Sequence, residues 1–87
     1  MSFDIRYHEL VREEDIPRLS LEWREKIKRA IENRLATRPE AYGKPLRQSL
    51  KGYRKLHVSN YRVIFRIEGK TVKILIIQHR SVSFRSV

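Results

Sequence analysis

The sequence predicts an α+β fold of two layers, ordered β-α-α-β-β-β, in which helices cover one face of a mainly antiparallel sheet. Three observations predict it: an apolar-alternating stretch at the start, a segment over 21–36 with apolar residues at spacings of three and four, and three strand-like segments separated by short turns. The 87 residues, 40% hydrophobic, supply one core, so a single domain over 1–87 is expected.

The elements follow in order. "FDIRYH" (3–8) alternates Phe3, Ile5 and Tyr7 with Asp4, Arg6 and His8, the period-two pattern of a strand covered on one side. "ELVREEDIPRL" places Leu10, Val11 and Ile16 among charges, with Pro17 near its end, which suggests one or two helical turns. Ser20 is positioned to cap the next helix, whose stripe of Trp23, Ile27, Ala30, Ile31 and Leu35 faces the core. Glu22–Lys26 and Glu25–Arg29 form favourable pairs on its outer side, and Thr37-Arg38-Pro39 stops it. "EAYGKPLRQSLKG" (40–52) reads as a loop, leading into strands at about 53–58, 61–67 and 71–78. Ser59-Asn60 and Glu68-Gly69-Lys70 separate these strands, with Asn60 and Gly69 suited to positive φ. "TVKILIIQ" becomes apolar on both parities, as a strand inside the sheet would.

Composition narrows the function. There is no cysteine, so neither disulfides nor a thiolate metal site is expected, and the early charges and lack of a long apolar run point to a cytoplasmic protein without a membrane partner. The formal charge of +10 favours polyanionic partners. It is unevenly placed: residues 1–40 balance nine acids with nine basic residues, whereas 41–87 set Glu68 alone against eleven.

A two-residue loop at Ser59-Asn60 pairs Val58 with Tyr61, His57 with Arg62, Leu56 with Val63 and Lys55 with Ile64. Leu56, Val58, Tyr61, Val63, Phe65 and Ile67 then face the helix stripe, while Lys55, His57, Arg62 and Arg66 share the opposite face. Directly opposed side chains there root roughly 5 Å apart, where like charges repel unless an anion offsets them. Tyr53 joins this face and could stack on a base; Trp23, Tyr61 and Phe65 are assigned to the core. A two-residue loop at Gly69-Lys70 carries the basic face through Glu68, Thr71 and Lys73 to His79; a three-residue loop would bring Arg80 instead. Val72, Ile74 and Ile76 favour the first register, and a bulge could let both side chains reach the site.

Such a face suits RNA cleavage by the ribose 2′-hydroxyl, which needs a base, an acid, and cations for the developing phosphorane charge. His57 and His79 titrate near neutrality, and Lys55, crowded by arginines, is a further candidate base. Arg62, Arg66 and Arg80 would hold phosphate. No metal or other cofactor is expected, because carboxylates are scarce in this half of the chain.

The run "GKPLRQSLKGYRKLHVSNYRVIFRI", followed by an apolar strand ending in His79-Arg80, closely resembles the RelE/ParE toxin superfamily over essentially the whole chain. The resemblance implies a RelE-like fold and, in the RelE branch, a toxin of a type II toxin–antitoxin system that cleaves mRNA on the ribosome without a metal. A cognate antitoxin, small and with an acidic or amphipathic segment, would inhibit it. Lys55, Arg62 and Arg80 match the family's catalytic basic positions, His57 stands where a second lysine or arginine is often found, and His79 matches the histidine of the His-Arg pair. Phe84 replaces the usual tyrosine; it can stack on a base but cannot donate a proton, and Arg85 beside it is a further substrate-binding candidate. Two other readings stand beside this one: a ParE-like toxin acting on DNA gyrase, and an inactive nucleic-acid- or protein-binding relative.

Overall fold

The computed structural model describes residues 2–45 and 52–81. Its five strands are β1 (Asp4–Tyr7), β2 (Lys44–Pro45), β3 (Tyr53–Val58), β4 (Tyr61–Glu68) and β5 (Thr71–His79), and they form one sheet in the order β1-β5-β4-β3-β2. β1 runs parallel to β5 and every other pairing is antiparallel. β5 therefore lies inside the sheet, as its two-sided apolar pattern requires.

A π-helical stretch at Val11–Asp15 continues into the short helix α1 (Ile16–Arg18). α2 (Leu21–Ala30) starts where the Ser20 hydroxyl accepts the Trp23 N–H, and it continues through a second π-helical stretch at Ile31–Leu35. Ile27, Ile31 and Leu35 are buried against Leu56, Val63, Phe65, Val72, Ile74 and Ile77, each large side chain worth about 1.5–3 kcal/mol of burial. Trp23 and Tyr61, expected in the core, sit at its margin with ring centroids 4.9 Å apart, whereas Phe65 is fully buried. Among the described residues no helix is long and apolar enough to cross a membrane.

The segment expected to be a loop over 40–52 is more ordered at its start. Pro39, expected to end a helix, instead opens α3 (Pro39–Tyr42), because its fixed φ suits a first helical turn. Lys44 and Pro45 then add β2 as an edge strand on β3, the place in a sheet where proline is tolerated. Gly43 joins the two elements. A Cβ there would collide with the Phe65 ring, and the Gly43 carbonyl accepts a hydrogen bond from Arg54 at 3.0 Å. The remainder of that segment, 46–51, lies outside the described residues.

Both hairpin loops have two residues, and each carries positive φ at its first residue, Ser59 (55°) and Gly69 (61°). The positive φ thus falls on Ser59 and not, as expected, on Asn60. Past the Gly69-Lys70 loop the β4–β5 ladder pairs Glu68 with Thr71 and Phe65 with Ile74, then Ile64 with Ile76, so Leu75 is the extra residue of a bulge. The bulge reverses the side-chain parity of the end of β5.

Candidate basic site on the open sheet face

The β3–β4 register is the one the sequence predicts: Lys55 opposite Ile64, Leu56 opposite Val63, His57 opposite Arg62 and Val58 opposite Tyr61. Lys55, His57 and Arg62 therefore share the sheet face away from the helices. β2 adds Lys44 directly opposite Lys55, a member that sequence reasoning missed because a two-residue strand leaves no periodicity. β5 adds Gln78 opposite Arg62, also missed, because only the bulge turns it to this side.

The electrostatics of the cluster converge on His57. His57 is exposed, yet its imidazole titrates below the usual 6.5, through partial desolvation first and then repulsion from Lys55, Lys44 and Arg62. The shift favours the neutral imidazole, which keeps a ring nitrogen able to take a proton. Beneath the polar groups, Ile64 and Ile76 are 1% and 2% exposed and lie apart from the helix-side core cluster, giving the site an apolar floor. Ile76 had been expected on the helix side; the bulge moves it to this face and sends Ile77 to the core in its place.

The other predicted site residues divide. Tyr53 and Arg66 are opposite one another, one row further along the sheet, and Lys73 continues that row. Arg66 is met by Glu68 at 3.0 Å, and the same carboxylate holds Lys73 at 3.1 Å, so this end of the face carries its own counterion. Lys44, Lys55, His57 and Arg62 gather at the other end of the face. His79, expected to follow the basic face through the Gly69-Lys70 register, does not. It lies opposite Tyr61, on the helix side, its ring edge-on to the tyrosine at 5.2 Å and 87°. Arg80 follows, exposed in the turn just after β5, its N–H bonded to the Asn60 carbonyl at 2.8 Å. Phe84 and Arg85 lie outside the described residues. Among the described residues, no group of three His, Cys, Asp or Glu side chains could hold a metal ion.

A family model described as the ParE toxin of type II toxin–antitoxin systems, parDE, matches residues 6–84. The chain belongs to this toxin family. Within the wider RelE/ParE superfamily, the toxin's fold is similar to that in the RelBE2 toxin–antitoxin complex from Mycobacterium tuberculosis. The TM-score is 0.86 and the identity 28%, covering 92% of this chain and all of that one. Two further structures share the fold: the archaeal RelE–RelB complex from Pyrococcus horikoshii OT3 (TM-score 0.65, 19% identity, 95% and 100% of the chains covered) and the E. coli DinJ–YafQ complex (0.57, 21%, 93% and 96%). No curated protein sequence matches the toxin at a significant level.

Proposed function

We propose that this toxin is a metal-independent endoribonuclease that cuts mRNA on the ribosome and so inhibits translation. The observation that carries this reading is the cluster of Lys44, Lys55, His57 and Arg62, set in register on the sheet face away from the helices. In the proposed reaction neutral His57 takes the proton of a ribose 2′-hydroxyl, whose oxygen attacks the adjacent phosphorus. The bond from phosphorus to the 5′-oxygen breaks, and the Lys55 ammonium supplies the proton that the leaving oxygen needs. Arg62 and Arg80 hold the phosphate through forked hydrogen bonds and offset the charge that builds on it. The products are a 2′,3′-cyclic phosphate and a 5′-hydroxyl. In this reading the ribosome positions the message and supplies most of the orientation.

The same cluster suits a cognate antitoxin with an acidic or amphipathic segment laid over the basic face. Toxin–antitoxin assembly in the structurally similar RelBE2 complex supports that partner. A second reading, a toxin that binds DNA gyrase, is favoured by the ParE description of the matching family model. Translation in a purified ribosomal system separates the two: ribosome-dependent cuts, lost in Arg62→Ala, support the endonuclease. Intact message together with trapped gyrase–DNA complexes would support the gyrase reading.

A further inference from the structure

We propose that His79 is a positioning residue rather than a proton carrier in this reaction: seated on the helix side, it fixes the turn after β5 so that Arg80 reaches the basic face. The inference rests on the endonuclease reading for its kinetic consequences, and on geometry for the placement itself. Because the bulge at Leu75 reverses parity, the sheet lies between the His79 ring and the face that carries His57 and Arg62. The ring is held there by its edge-on contact with Tyr61, which in turn packs on Trp23.

The imidazole is also committed at one nitrogen. Nδ1 accepts the Ser81 N–H at 3.2 Å and lies 2.9 Å from the Ser81 hydroxyl. A nitrogen that accepts a backbone N–H carries no proton, so this bond assigns the ring hydrogen to Nε2. Protonating Nδ1 would set two donors against each other and break the bond to Ser81. His79 and Ser81 thus clasp the chain on either side of Arg80, and the Arg80 N–H is tied to the Asn60 carbonyl at 2.8 Å. Three consecutive residues are tied down at the point where the ladder ends, with Arg80 in the middle. A merely decorative histidine at a strand end would need none of these contacts.

Two variants separate positioning from proton transfer. His79→Asn places an amide oxygen close to where Nδ1 lies but cannot titrate; His79→Phe keeps a ring against Tyr61 and removes the acceptor. With purified ribosomes and message, H79N should cut within about threefold of wild type with an unchanged pH–rate profile, and H79F should lose roughly tenfold or more in kcat. Comparable loss of rate in both variants would overturn the proposal, and loss of one limb of the residual pH–rate profile would show that His79 carries a proton. Full activity of H79F would overturn it as well. Nitrogen-15 NMR of the wild-type imidazole tests the placement without activity: a proton on Nε2 and none on Nδ1 is expected, and the reverse tautomer refutes the clasp. If the wild type cuts no message, the endonuclease reading fails, while the tautomer still decides the placement of His79.

Discussion

Removing the Asp15 carboxylate should be among the most destabilising single changes outside the apolar core. Asp15 is 4% exposed, and its Oδ2 accepts the Ile77 N–H at 2.9 Å. The bond occurs where it is needed: the β1–β5 pairing runs from Asp4–Thr71 and ends at Tyr7–Ile74, and after His8 donates to the Ile74 carbonyl the chain leaves the sheet for the helices. The next stretch of β5 has no neighbouring strand on that side, and the first helical segment supplies a side-chain acceptor instead. Asp15→Ala leaves the Ile77 N–H buried without that acceptor, a cost of about 1–3 kcal/mol. For a domain of this size that corresponds to a fall in Tm of roughly 5–20 °C. Asp15→Asn keeps an acceptor oxygen and should lose less than half as much. Thermal unfolding followed by circular dichroism measures both. An alanine variant as stable as wild type, or an asparagine variant as damaged as alanine, would refute the reasoning that hydrogen-bond acceptance is what matters at this position.

Other outcomes follow from particular contacts. Gly43→Ala should destabilise by about 1–3 kcal/mol, read from urea unfolding, because its methyl would overlap the fully buried Phe65 ring. Ser59→Gly should stabilise by up to about 1 kcal/mol in the same assay, since Ser59 holds a φ of 55° that glycine adopts without a steric penalty. His57 should titrate by NMR with a midpoint below 6.5, and Lys55→Gln should move that midpoint upward, because Lys55 is the strongest of the repelling charges. The sign for stability follows: the unfolded chain binds the His57 proton more readily, so folding stability falls as pH drops through 6.5 toward the lowered native value, and is regained above it.

The register of the first hairpin was legible in the sequence and that of the last strand was not. Around Ser59-Asn60 both strands alternate cleanly, so a two-residue loop leaves one register that buries Leu56, Val63 and Phe65 together. In "KILIIQ" apolar residues occupy both parities, and no phase signal marks Leu75 as the residue where alternation breaks. Three assignments turned on that one residue: Ile76 moved to the basic face, Ile77 to the core and His79 to the helix side. Lys44 escaped notice for a different reason. Its strand is two residues long and is defined by pairing with β3, a tertiary contact that no local pattern encodes. Arg66 was read as a free cation because its neutralising partner, Glu68, sits two residues along the same strand face, where an acid near a turn passes for a solvated residue. The helix stripe of Ile27, Ile31 and Leu35 survived even the π-helical end of its helix, since all three remain buried.

The central claim is that the basic face promotes attack by a ribose 2′-hydroxyl, and the chemistry of the cut ends tests it most directly. Message cleaved on purified ribosomes should carry a 2′,3′-cyclic phosphate and a 5′-hydroxyl, and a message with a single 2′-deoxynucleotide at the mapped position should remain whole. Cleavage of the deoxy-substituted message at that position, or ends bearing a 5′-phosphate and a 3′-hydroxyl, would contradict the account.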